Sequence, residues 1–245
     1  MTGRLAVVSM GPMKVILFGA SGMVGQGVLR ECLLDPGVER VLAVVRAPTG
    51  QADPKLEELV HADFLDFSGV EAKLGSLDAC FFCLGVSSVG MTEEAYRRVT
   101  YDMTMAAAQT LARVSPNLTF IYVSGTGTDD TEKGRSMWAR VKGQTENALR
   151  RLPFKATYMF RPGYIQPRHG IRSKTRLYRA IYAVVSPLFP VFEALAPRRV
   201  TTTDRVGLAM LEVARHGTSQ PILENADINR LASAHTAARQ QHAPA

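Results

Sequence analysis

VILFGASGMVGQGVLREC, residues 15–32, passes from an apolar run into a helix-period run through three glycines, Gly19, Gly22 and Gly25. A G-x-x-G-x-x-G turn between strand and helix has a specific physical use. Glycine permits the tight turn and lets the backbone approach a pyrophosphate, and the last glycine lets the helix pack closely on the strand. The helix N-terminus behind the turn offers unpaired N–H groups and the positive end of its dipole to an anion. Glycine spacing alone is weak evidence; the strand–turn–helix setting gives it weight. A dinucleotide is therefore expected along Gly19, Ala20, Ser21, Gly22, Met23, Val24 and Gly25.

Outward from this unit the pattern repeats. MKVILFG (13–19) predicts a buried strand and residues 23–34 a helix; RVLAVVR (40–46) predicts a second strand, and LEELVHADF leads into a short third. ACFFCLG (79–85), LTFIYVSG (118–125) and KATYMFRPG (155–163) predict the fourth, fifth and sixth. Helix-period segments cover about 92–114, with an interruption expected, and about 136–151. Strands without strict polar alternation, separated by helices, indicate a parallel sheet buried on both faces. The fold class is α/β, a Rossmann-type doubly wound sheet with helices on both faces. A single domain, 1–245, is expected, with a dinucleotide-binding core at 13–165, a small substrate-covering region at 166–230 and a flexible tail at 231–245.

The region after Gly163 has another character. LYRAIYAVVSPLFPVFEALA (177–196) is apolar but interrupted by Arg179, Pro187, Pro190 and Glu193. A membrane span needs about twenty apolar residues with few charges, so a buried or interfacial helical hairpin is expected instead. TTTDRVGLAMLEVARHG (201–217) carries a capping residue before an amphipathic run and predicts a helix.

The formal net charge is +7, and Arg168, Arg172, Lys174, Arg176 and Arg179 crowd one segment. That cluster suits a solvated face or an anionic partner, including peripheral contact with a membrane surface. Nucleic acid is not expected, because no recognition-helix, zinc or RNA-binding signature accompanies the charge. Cys80 and Cys83 form a C-x-x-C within a predicted strand, where residues three apart face opposite sides; neither a metal nor a redox bond is expected. The N-terminal stretch has only a short apolar run, and with three cysteines the expected setting is reducing and cytoplasmic. The oligomeric state cannot be read from the sequence.

The second strand ends in AVVRAPTG. An NAD-selective site usually has Asp or Glu there, accepting from the ribose 2′-hydroxyl; here Arg46 stands in that place, and a cation holds a 2′-phosphate. NADP(H) is expected over NAD(H).

The segments GASGMVG, HADFLD, CFFCLG, FIYVSGTG, MWARVKGQTE and FRPGYIQP, in that order over about residues 13–225, resemble the short-chain dehydrogenase/reductase superfamily. The likeness is to its epimerase/dehydratase-like branch, which includes the Tat-interacting oxidoreductases. The resemblance implies that Asp63 and Phe64 border the adenine and that Leu84 and Gly85 pass the ribose and phosphates. It further implies that Lys142 binds the nicotinamide ribose and that Pro162, Gly163 and Ile165 line the nicotinamide pocket. The family reaction is hydride transfer at a carbon bearing oxygen: a tyrosine exchanges the oxygen's proton, a lysine four residues on assists, and a Ser or Thr hydroxyl positions the carbonyl.

Here the residue four before Lys142 is Trp138. An indole N–H donates a hydrogen bond but exchanges no proton at neutral pH. Three readings follow. In the first, another group donates: Tyr164 is preferred, with Tyr96, Tyr101, or a water held by Ser124 and Thr126 as alternatives. In the second, the chain binds NADP(H) without turnover. In the third, Trp138 packs over a substrate whose chemistry needs no phenol, as an isomerase or lyase of the epimerase/dehydratase type.

Overall fold

A computed structural model describes residues 11–171, 186 and 189–241. The basic cluster beyond Arg168 and most of the segment 177–188 lie outside the described residues. Six parallel strands follow in chain order, with helices between most of them and none between the second and third: β1 (Met13–Phe18), β2 (Val38–Val45), β3 (Leu56–Val60), β4 (Ala79–Phe82), β5 (Thr119–Val123) and β6 (Ala156–Arg161). Helix α1 (Met23–Leu34) follows β1. Helices α2 (Glu93–Arg97) and α3 (Met103–Val114) precede β5, joined by a π-turn at Arg98–Asp102 that supplies the expected interruption. Helix α4 (Met137–Leu149) connects β5 to β6. Two short strands, β7 (Tyr164–Gln166) and β8 (Val200–Thr202), pair with each other; α5 (Phe189–Leu195) precedes β8. Then come α6 (Thr203–His216), β9 (Ile222–Glu224) and α7 (Asn225–Gln241).

The main sheet has the order β3-β2-β1-β4-β5-β6-β9 and is parallel throughout. The order reverses between β1 and β4, and such a switch point opens a crevice at the carboxyl ends of the strands. Alternate side chains face two separate cores. Val15, Leu17, Phe81, Ile121 and Phe160 meet α1, α6 and α7 on one face. Ile16, Phe18, Cys80, Phe82, Phe120 and Tyr122 meet α3 and the turn at Ser68–Lys73 on the other. Both faces being apolar explains why the strands lack polar alternation in the sequence.

The tail expected to be flexible is corrected in part: residues 231–241 continue α7. Leu231, Ala232 and His235 are buried, and the His235 ring lies between Asp35 (2.9 Å) and Glu212 (3.1 Å). Burial alone would raise the Asp35 carboxyl, but hydrogen bonds from His235 and Arg215 outweigh it and hold the group well below the usual carboxylate range. This cluster fastens α7 and α6 to the end of α1. No helix among the described residues is long and apolar enough to cross a membrane. Cys80 lies in β4 with its side chain in one core, and Cys83, just past the strand, packs against the other.

Candidate functional site

The glycine loop sits at the switch point. Gly19 adopts φ +83°, and a Cβ there would stand 2.7 Å from the Cys83 carbonyl carbon. That contact with the chain leaving β4 is closer than any side chain permits. Gly22 caps α1 with no side-chain hydrogen bond and no acidic residue in the first turn, so the helix dipole is open to an anion. The Gly22 N–H closes the turn by donating to the Gly19 carbonyl at 2.8 Å.

In front of the loop lies a cleft of about 620 Å³. Its floor is the loop, Gly19 and Ser21 to Val24. Leu84 to Ser87, leaving β4, form one side; Ser124 to Thr126, with Trp138 and Lys142 of α4, form the other; Pro162, Gly163 and Ile165 close the end. Arg46 lines this cleft and also a second cavity, of about 690 Å³, shared with Ala20, Ser21, Gln26, Arg30, Thr49 and His169. The glycine loop, the cleft in front of it and the adjoining cavity lined by Arg30, Arg46 and His169 fit a dinucleotide.

Nearly all the residues expected at the cofactor meet in these two spaces: Gly19 to Val24, Arg46, Leu84, Gly85, Lys142, Pro162, Gly163 and Ile165. Gly25 lies beneath, packed on Gly19. Asp63 and Phe64 do not join them. Phe64 is buried against Phe18 and Phe67, edge to face, and the Asp63 carboxylate accepts from the Leu65 N–H at 2.9 Å. Val86, Ser87, Val123 and Gly125 line the cleft without having been singled out in the sequence, and Cys83 stands out there only as part of a C-x-x-C; their position just after β4 and at the end of β5 is the signal that could have found them.

Tyr164, the preferred proton donor, is corrected by its strand. Neighbours on β7 face opposite sides, and Ile165 is the one that lines the cleft. The Tyr164 hydroxyl meets the Gln166 side chain at 2.8 Å and its ring packs near Phe189. Burial raises its pKa further from neutrality. The alternatives fare no better. Tyr96 is buried, and the Tyr101 ring lies under the Arg97 guanidinium, 4.3 Å away. The Ser124 hydroxyl donates to Glu146 at 2.5 Å, and the Thr126 hydroxyl donates to the Arg161 carbonyl at 3.0 Å.

Glu146 is the hub behind the cleft. Fully buried, it receives the Arg161 guanidinium at 2.5 Å from Nη2 and 3.0 Å from Nε. The hydrogen bond from Arg161 to this carboxylate raises the guanidinium pKa further above its ordinary value. Lys142, one turn earlier on α4, donates from Nζ to the Ser124 carbonyl. Burial lowers its pKa to about 8 from an ordinary 10.5, with Glu146 pulling the other way. The Trp138 ring lies over Gly127, where a Cβ would be 3.3 Å from it. A glycine at 127 makes room for the larger side chain.

Residues 19–175 match the family described as NAD(P)H-binding. Among curated proteins, the chain is 25% identical over 224 residues to Protein fmp52-2, mitochondrial, of Aspergillus oryzae, covering 88% of this chain and 95% of that one. In fold it is similar to the Bordetella bronchiseptica enzyme WbmF in complex with NAD+ (TM-score 0.65, 16% identity, 96% of this chain and 80% of that chain). It is also similar to Gre2 of Candida albicans in complex with NADPH (TM-score 0.63, 14% identity, 86% and 77%). The Rossmann-type class and the likeness to short-chain dehydrogenases and epimerases stand on these. The cytoplasmic setting does not: the fungal relatives are named mitochondrial, which conflicts with it.

Proposed function

The chain belongs to the NAD(P)H-binding family, and from that premise we propose that it is an NADP(H)-dependent oxidoreductase acting on an apolar carbonyl or alcohol. The observation that carries the cofactor preference is the second cavity, lined by Arg46, Arg30 and His169. Among the described residues no carboxylate lines either space. A 2′-phosphate needs cations; a ribose 2′-hydroxyl needs an acceptor, and the site supplies the former. When bound, the nicotinamide supplies the hydride chemistry. The chain's own part is to hold and orient. The amides at the start of α1 receive the pyrophosphate, Lys142 the ribose, and Pro162, Gly163 and Ile165 the nicotinamide ring. Leu84, Val86, Val123 and Trp138 give the remaining wall an apolar character, which supports a small apolar substrate.

Calorimetric titration with NADPH and NADH tests the preference. A charge-assisted hydrogen bond is worth about 1.5–3 kcal/mol, so the native protein is expected to favour NADPH by about tenfold or more. Arg46→Asp is expected to abolish or invert that preference. Equal affinities in the native protein contradict it. A second reading rests on Trp138: with no phenol at that position, the same site suits a nucleotide-responsive binding protein. Tight NADPH binding without turnover on any carbonyl favours that one.

A further inference from the structure

We infer that Lys142 is itself the proton donor of this site, delivering from Nζ to the oxygen of a carbonyl substrate as its carbon is reduced. The assignment rests on the oxidoreductase reading above and deepens it. The argument is one of geometry among the groups that face the cleft. Of the described residues lining it, only Arg46, Cys83 and Lys142 carry titratable side chains. Arg46 lies at the far, cationic end and never gives up its proton in a protein. Burial raises the Cys83 thiol well above its ordinary range and lowers the Lys142 ammonium, so the thiol is the weaker acid of the two. The Ser124 and Thr126 hydroxyls are already committed to Glu146 and Arg161. Tyr164 faces away, and the Trp138 indole exchanges nothing.

Lys142 has the needed arrangement. It projects from α4 into the same end of the cleft as Trp138, Pro162 and Ile165, and the Ser124 carbonyl holds its ammonium in place. The groups turned toward it are few. Glu146 on its own helix favours the charged form; Arg161 on β6 and the Ser124 hydroxyl take up much of that carboxylate's field. The buried Tyr122 phenol of β5 also faces Glu146 and stays neutral, its pKa raised by burial. Burial dominates, bringing the ammonium to about 8, near the range in which a general acid works well.

The step balances. A hydride adds to the carbonyl carbon, the C=O π pair moves to oxygen, and that oxygen takes a proton from Lys142 Nζ. The carbonyl is reduced to an alcohol and NADPH is oxidised to NADP+. The neutral amine regains its proton from solvent. In this direction the acid form is required, so turnover is expected to fall as pH rises through about 8.

Two measurements decide it. In nucleotide-free protein labelled with ¹⁵N-lysine, the Lys142 resonance, identified by its loss in Lys142→Arg, is expected to titrate near 8; titration near 10.5 overturns the assignment. In Lys142→Arg the charge that meets the ribose and the Ser124 carbonyl is kept, but the proton cannot be released. NADPH affinity is expected to stay within a few-fold while kcat for carbonyl reduction falls by about 10²-fold or more, and the limb near pH 8 disappears. A variant that keeps its turnover and its pH profile overturns the role of Lys142 alone. A native protein that binds NADPH and reduces no carbonyl overturns the oxidoreductase reading and this step with it. If the arginine is poorly accommodated, Lys142→Ala with added ethylamine gives a second answer: rescue supports the proton role, and no rescue with NADPH still bound opposes it.

Discussion

Glu146→Leu is expected to be among the most destabilising single substitutions in this protein. The side chain is fully buried, yet it takes three hydrogen bonds from Arg161 and one from Ser124. Removing one partner of a buried ion pair leaves an uncompensated charge and costs about 3–5 kcal/mol. Asp130 and Glu224 stand near Arg161, but each is 3.7 Å away and half exposed. Glu146→Gln keeps the shape and the Ser124 contact and is expected to lose less. Urea unfolding of the three proteins measures this. A loss below about 1 kcal/mol for the leucine would mean that Asp130 and Glu224 take over the guanidinium.

The second large effect lies in the loop. In Gly25→Ala the new Cβ would stand 2.0 Å from the Gly19 carbonyl oxygen and 2.6 Å from its carbon. Both are backbone atoms of the turn, so the loop and the start of α1 must part. Overpacking of this kind costs about 1–3 kcal/mol, and it moves the N–H groups that receive the pyrophosphate. NADPH affinity is expected to fall by about 100-fold or more, a loss of roughly 2.8 kcal/mol in binding. Gly69→Ala is the control, since a Cβ there meets nothing within 4 Å. Calorimetry with thermal melts separates lost binding from lost folding. An alanine variant that still binds NADPH normally would contradict the loop geometry.

What was legible in the sequence was local. Five of the six core strands carry apolar runs long enough to be recognised, β3 (LEELV) being the exception, and the glycine loop announces its turn chemistry within seven residues. Strands β7, β8 and β9 were missed because three residues hold no period. They exist through tertiary partners: the Asn225 side chain accepts from Gly163 N–H at 2.9 Å and donates to the Val200 carbonyl at 2.8 Å. Missing β7 had a consequence at the site. Without the strand, nothing indicated that Tyr164 and Ile165 face opposite ways. The end of the chain misled for a similar reason. LASAHTAARQ reads as small and polar, but His235 finds Asp35 two hundred residues earlier, a contact no local pattern encodes. Arg161 and Glu146 are closer in sequence, fifteen residues apart, yet on different elements, so their pairing too waited for the fold.

The central claim, that this chain turns over NADPH rather than only holding it, is tested most directly by isotope transfer. The native protein is mixed with NADPH deuterated at the transferring C4 position and with a panel of aldehydes and ketones, and the products are read by mass spectrometry. Deuterium at the former carbonyl carbon of at least one apolar substrate, from one face of the nicotinamide only, is the expected result. NADPH bound tightly at the glycine loop, with no deuterium in any product, would contradict it.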